Sequence, residues 1–219
     1  KRQHIGSQLL ELSPYKSAYE KIAEMTRYLR STGHEISHLD LGGGLGIPYS
    51  DESLADLNAY NQIILETVGD LDCKLSIEPG RYLVGEAGIL ITRVIYIKQG
   101  EQKKFVIVDG AMNDLIRPTL YDGFHAIVPV TEKNLSSQKS LCDVVGPICE
   151  SGDYFAKDRM LPEVSQNDLL AITCSGAYGA VMASNYNSRP LIPEVLVSND
   201  VFSVIRERQA FEKIIQDEK

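Results

Sequence analysis

A short apolar strand that runs straight into glycines, "HLDLGGGLGIPY" at residues 38–49, restricts this chain more than any other stretch. Two segments of helical period flank it. In the first, residues 15–32, "YKSAYEKIAEMTRYLRST", place Tyr15, Ala18, Tyr19, Ile22, Met25 and Leu29 on one face. Gly33 follows as a C-terminal cap. In the second, residues 51–69, "DESLADLNAYNQIILETVG", Asp51 is the expected N-cap and Gly69 the stop. "CKLSIEPG" reads as a further strand, and "HIGSQ" at residues 4–8 as the end of a strand already in progress. Strand and helix in alternation predict a parallel α/β sheet or barrel.

The texture changes near residue 89. "GILITRVIYIKQGEQKKFVIVDG" reads as two β-runs around a polar turn. "HAIVPV", "KSLCDVVGPIC", "DLLAITCSG" and "PEVLVSND" continue it, rich in Val and Ile and broken by Gly, Pro, Asn and Asp. The fold class expected is therefore α/β plus all-β: an α/β part over residues 1–88 and an antiparallel β-domain over 89–219. The last stretch, "VFSVIRERQAFEKIIQDE", is expected to be a closing helix.

In parallel α/β architectures, ligands sit at the C-terminal ends of strands, which is where Gly42, Gly43, Gly44 and Gly46 fall. Missing Cβ atoms let backbone N–H groups approach an anion, and a phosphate suits them. A tight turn that merely needs positive φ is the other reading. The pattern lacks both the G-x-G-x-x-G spacing and a Walker lysine. Other strand ends carry His4 and Ser7 in "HIGSQ", and Glu78, Gly80 and Arg81 in "EPGR". Singly, these are a core histidine, an N-cap and a local ion pair. Together they offer a ring, a hydroxyl, a carboxylate and a guanidinium, a set that suits a phosphorylated heteroaromatic cofactor.

Charge excludes other classes. The net charge of −8, with acids and bases interspersed, argues against nucleic acid and against a basic membrane patch. No apolar run reaches the ~18 residues of a membrane span. The four cysteines are scattered without zinc spacing, so no metal is expected and a reducing cytoplasm is the expected setting. The chain opens "KRQHIGSQLLELSPY" without Met or an apolar leader, and is expected to be a piece of a larger protein.

"HIGSQ", "LDLGGGLGIPY", "EPGRYLVGEAG", "DGAMNDLIRPTLYDGFH", "VVGPICESGD" and "SGAYGAVMASNYNSRP" occur in order over nearly the whole chain. With them the chain resembles the barrel-plus-β-domain class of pyridoxal-phosphate decarboxylases, and within it the diaminopimelate decarboxylase family. The resemblance implies the C-terminal part of a TIM-like (β/α)8 barrel that binds pyridoxal 5′-phosphate (PLP), followed by an antiparallel β-sandwich or barrel. It implies that His4 stacks on the PLP ring and that Glu78 pairs with the pyridine nitrogen. Ser7, the Gly43–Gly44 backbone and Gly80 would hold the phosphate, with Arg81 beside them and the Tyr178 hydroxyl nearby. Arg81, Arg117 and Tyr121 would hold the substrate's distal carboxylate, and Glu150 its distal amino group. Cys149 would be the proton donor, reaching the site of a neighbouring subunit in a homodimer. Read without the resemblance, Arg117 could serve a surface salt bridge, Cys149 could be a buried thiol and Tyr178 a core tyrosine.

The resemblance also implies a departure. The family's cofactor-bearing lysine precedes "HIGSQ", and no lysine of this chain matches it. The N-terminal barrel segment is thus expected to be a missing partner, and the fragment alone inactive. The implied reaction removes CO2 from meso-2,6-diaminoheptanedioate to give L-lysine. Decarboxylases of the same class acting on ornithine, arginine, lysine or carboxynorspermidine, and a non-catalytic relative, are the alternatives.

Overall fold

The computed structural model describes residues 4–216 and 218. The chain divides into two compact units, residues 1–87 and 88–219.

In the first unit, α1 (Ser13–Ser31) begins with Pro14 in its first turn and ends in a left-handed Gly33, whose N–H donates to the Arg30 carbonyl at 3.1 Å. Its buried face is Tyr15, Tyr19, Ile22, Ala23 and Thr26, while Met25 is exposed. Thr26 can replace an apolar residue because its hydroxyl donates to the Ile22 carbonyl at 2.7 Å. Strands β1 (His38–Asp40) and β2 (Lys74–Ser76) pair in parallel, with α2 (Leu57–Val68) between them in sequence. The expected start of α2 needs correction. Its N-cap is Asp56, which accepts from the Asn58 and Ala59 amides, and not Asp51. A turn at Tyr49 and Ser50, whose amides the Glu52 carboxylate accepts, occupies the segment before it. A short α3 (Gly80–Val84) follows β2.

A trio of tyrosines joins α1 to α2. The Tyr15, Tyr19 and Tyr60 rings meet at centroid distances of 5.2–6.2 Å, and the Tyr19 and Tyr60 hydroxyls share a buried hydrogen bond at 2.7 Å. Burial pushes the Tyr19 phenol up, with Tyr60 adding to the shift. Tyr60→Phe leaves the Tyr19 hydroxyl buried without its partner and is expected to cost about 1–3 kcal/mol in urea unfolding. The double Phe variant is expected to cost less than the sum of the two single changes. Strict additivity would mean the hydroxyls are not coupled.

The second unit is built on one six-stranded sheet in the order β5-β8-β3-β4-β6-β7. The strands are β3 (Leu90–Gln99), β4 (Lys104–Val108), β5 (Ile127–Pro129), β6 (Lys139–Val145), β7 (Tyr154–Pro162) and β8 (Leu169–Ile172). Edge strands β5 and β7 touch, so the sheet nearly closes. Arg159 on β7 donates to the His125 carbonyl at 2.8 Å just before β5, across that gap. The interior is Val94, Val106, Val108, Val144, Phe155, Leu161, Leu170 and Ile172.

Three expectations fail here. The sheet is not wholly antiparallel, because β4 and β6 run parallel. The long crossover of residues 109–138 returns the chain to the same end, as a parallel pair requires. The expected closing helix is not formed either. Val201–Arg206 is strand β10, which pairs antiparallel with β9 (Glu194–Ser198) across Asn199 and Asp200. Asn199 turns the hairpin with φ +53°, and among the described residues of this stretch only Phe211–Lys213 forms a helical turn. Finally, residues 4–8 form no strand. Leu9 makes a single parallel bridge to Leu45 instead.

Candidate functional site

In the first unit, three loops carry the expected cofactor residues, and backbone bonds join them. Leu9 donates to the Gly44 carbonyl at 2.9 Å, and the Gly46 amide donates to the Leu9 carbonyl at 3.0 Å. The Gln8 side chain clamps both backbone groups of Ile47. "HIGSQ" is thereby laid along the glycine loop. On the other side, Glu78 donates its amide to the Gly42 carbonyl at 2.8 Å. Gly43 is needed for this approach, since a Cβ there would lie 2.1 Å from the Glu78 carbonyl oxygen. Gly44 is needed twice over. It adopts φ +103°, and its Cβ would meet the Gly6 carbonyl oxygen at 2.8 Å.

Arg81 closes the rim. Its guanidinium donates to the Ser7 hydroxyl at 3.1 Å and to the Tyr49 hydroxyl, and it lies 5.7 Å from the centre of the Tyr49 ring. Tyr49 is a residue that sequence reasoning passed over, although it ends the glycine stretch. Gly80 opens α3 with no atom within 4 Å on its Cβ side. His4 and Glu78 are both exposed, and the structure joins their loops through the glycines. His4 is not a core histidine, and Ser7 is not the N-cap of α1, a place taken by Leu12.

The donor set fits a phosphate. It offers a hydroxyl, a guanidinium and two glycine amides. Among the described residues, neither Gly43 nor Gly44 donates its amide to a protein acceptor.

The second unit gathers a different set. Loop 146–153, which holds Cys149 and Glu150, is organised by Asp153, only 4% exposed. Its carboxylate accepts the Ile148 amide at 2.6 Å and the Met112 amide at 2.7 Å. Helix α4 (Arg117–Tyr121) lies against this loop. The Thr119 hydroxyl donates to the Gly152 carbonyl, and the Tyr154 hydroxyl donates to the Pro118 carbonyl at 3.3 Å. Cys149 is exposed and free, so it is not a buried thiol. Glu150 accepts from the Gly152 amide at 3.1 Å and from the Tyr186 hydroxyl at 3.3 Å. The Glu150 charge pushes the Tyr186 phenol up.

Tyr121 is 62% exposed, whereas Arg117 on the same helix is buried, which excludes a surface salt bridge. Its guanidinium meets His125 Nε2 at 2.7 Å. Tyr178 is 41% exposed and left-handed at φ +59°, not a core tyrosine. The same unit holds a second network. Asp114 accepts the Ala111 amide at 3.0 Å and faces Arg189 at 3.7 Å, and Arg189 donates to Asn113 at 3.0 Å. Burial pushes the Asp114 carboxyl up, against the pull of the Ala111 amide and Arg189. Asp153, Asp114, Arg189 and His125 were not singled out from the sequence. Each stands inside a quoted motif, which was the available signal.

Comparison with known proteins decides the family. The model of the pyridoxal-dependent decarboxylases, C-terminal sheet domain, matches residues 19–176. The chain belongs to the pyridoxal-dependent decarboxylases. Among curated members, the diaminopimelate decarboxylase of Zymomonas mobilis is 47% identical over 99% of this chain and 51% of its own length. That of Neisseria meningitidis serogroup A is 49% identical over 98% of this chain and 52% of its own. A crystal structure of the Helicobacter pylori diaminopimelate decarboxylase with L-lysine superposes with a TM-score of 0.91 at 46% identity, over 97% of this chain and 52% of that one. The chain thus spans about half the length of the decarboxylases it matches. Among the described residues, no helix of this pyridoxal-dependent decarboxylase chain is long and apolar enough to cross a membrane.

Proposed function

We propose that the chain is part of a diaminopimelate decarboxylase, which removes CO2 from meso-2,6-diaminoheptanedioate and leaves L-lysine. The observation that carries this reading is identity of 44–49% to curated diaminopimelate decarboxylases over nearly the whole chain. The two parallel strands and helices of the first unit would then belong to a (β/α)8 barrel. The enzyme would be a cytoplasmic homodimer.

Pyridoxal phosphate, when bound, supplies the electron sink that makes loss of CO2 feasible. The chain's own residues do the rest. Ser7, Gly80 and the Gly43–Gly44 amides would hold the phosphate, with Arg81 and Tyr178 adding donors. His4 would stack against the ring. Glu78 would keep a proton on the ring nitrogen, since a carboxylate contact favours the charged form. Arg117 and Tyr121 orient the carboxylate that is retained, with Arg81 assisting, and an arginine fork suits a carboxylate. Glu150 takes the distal ammonium. Cys149 delivers a proton to the carbon that CO2 leaves.

The test is release of labelled CO2 by the full-length enzyme, offered diaminopimelate, ornithine, arginine and lysine in turn. Cofactor-dependent release from diaminopimelate, with lysine formed, is expected. Release only from substrates with one carboxylate would overturn the assignment. Glu78→Gln is expected to lower turnover by about a hundredfold or more while the melting temperature stays within a few degrees. Unchanged turnover would remove Glu78 from the chemistry.

A further inference from the structure

We propose that His125 is the positioning residue for Arg117, and so sets how tightly the site holds the substrate's retained carboxylate. The inference rests on the function proposed above.

His125 is fully buried, and both of its ring nitrogens are engaged. Nδ1 lies 2.8 Å from the Thr173 carbonyl oxygen, and Nε2 lies 2.7 Å from Arg117 Nη1. A carbonyl can only accept, so Nδ1 carries the proton. A guanidinium can only donate, so Nε2 presents its lone pair. These two partners together define one neutral tautomer. The ring is a bridge from the end of β8 to the arginine.

The backbone around it is shaped to allow this bridge. After α4, Asp122 adopts φ +51°, and the Gly123 amide returns to the Arg117 carbonyl at 3.2 Å. A Cβ at Gly123 would stand 3.1 Å from that carbonyl oxygen and 3.4 Å from Arg117 Nη2. The chain then carries His125 back under the guanidinium. Thr173 in turn is fixed, since its amide donates to the Ala126 carbonyl at 2.9 Å. Arg159 holds the His125 carbonyl from the opposite edge of the sheet. A long arginine side chain has many rotamers, and a fixed acceptor at Nη1 removes most of them before substrate arrives.

The test uses the full-length enzyme with His125→Leu, His125→Gln and Arg117→Ala. Gln keeps an acceptor where Nε2 stands and loses the ring. His125→Leu is expected to raise KM for diaminopimelate roughly tenfold, with kcat within about twofold, and to weaken binding of L-lysine in calorimetry by a similar factor. His125→Gln is expected to restore most of both. An unchanged KM and unchanged lysine affinity in a folded Leu variant would overturn the proposal, as would a Gln variant as impaired as Leu. In 15N spectra of the wild-type enzyme, the histidine signal lost in His125→Gln is expected to come from a ring protonated at Nδ1 only. A ring protonated at Nε2 would overturn the proposal even if His125→Leu fails to fold. The Arg117→Ala control separates the two readings. If it leaves KM unchanged, the assignment of Arg117 to the carboxylate is what fails.

Discussion

Gly43→Ala is expected to be the most damaging single methyl in the first unit. The new Cβ would stand 2.1 Å from the Glu78 carbonyl oxygen and 3.0 Å from its carbonyl carbon. Neither atom belongs to a flexible side chain, so the two loops must separate. Separation breaks the 2.8 Å bond from Glu78 to the Gly42 carbonyl and strains the neighbouring bond from Leu41 to Ser76 at 2.9 Å. Overpacking of about 1–3 kcal/mol and about 1 kcal/mol per lost hydrogen bond give a loss of about 2–4 kcal/mol in urea unfolding. Cofactor binding should suffer as well, because the loop that moves carries the two amides assigned to the phosphate. A loss of about 2.7 kcal/mol there corresponds to a roughly hundredfold rise in dissociation constant. Equilibrium unfolding and cofactor titration check the two effects separately. Wild-type values in both would mean the glycine run is only a turn.

Asp153→Ala is expected to be the most damaging change in the second unit. The carboxylate accepts two backbone amides, from Met112 and Ile148, and is itself almost wholly buried. Removing it orphans both donors, at about 1–3 kcal/mol each, for a total of about 2–6 kcal/mol. Gly146 makes the site intolerant of repacking. Its Cβ direction points at the carboxylate, 2.4 Å from Oδ2. The functional consequence would come through the roles proposed for Cys149 and Glu150, whose loop the carboxylate shapes. Misplacing a reacting group by about 1 Å can cost about a hundredfold in rate. A folded Asp153→Asn variant is therefore expected to lose kcat well beyond its loss of stability. A kcat close to wild type would show that the loop keeps its shape without Asp153.

Much of the fold follows from local signals in the sequence, and the misses have physical causes. The helices beside the glycines are legible because α1 and α2 each bury one face, although Thr26 hides in that face by bonding to its own helix. Strand β7 escapes notice because its alternation breaks at Asp158, which adopts φ +49° and donates its amide to Asp143 at 2.7 Å. Strand β10 is mistaken for helix because both faces of its hairpin are exposed, so burial imprints no period of two on Val201–Arg206. The parallel pairing of β4 with β6 depends on the path of a crossover that no local signal encodes.

At the candidate site, residue types are legible and partnerships are not. Ser7 and Arg81 are 74 positions apart, and the sequence groups them in one ligand set without showing the hydrogen bond between them. Arg117 stands out in "RPTLY", yet nothing in the sequence singles out its partner His125, whose tautomer the Thr173 carbonyl fixes. Asp153 closes "CESGD" as one more acid until its two amide partners are known.

The central claim is that the rim formed by Ser7, Gly43, Gly44, Gly80 and Arg81 reads a phosphate. The most direct measurement compares the binding of pyridoxal 5′-phosphate and of pyridoxal to the full-length apoenzyme. The account predicts that pyridoxal binds on the order of a hundredfold more weakly, and that Gly43→Ala closes most of that gap. Equal affinity for the two ligands, or a gap untouched by Gly43→Ala, would contradict it.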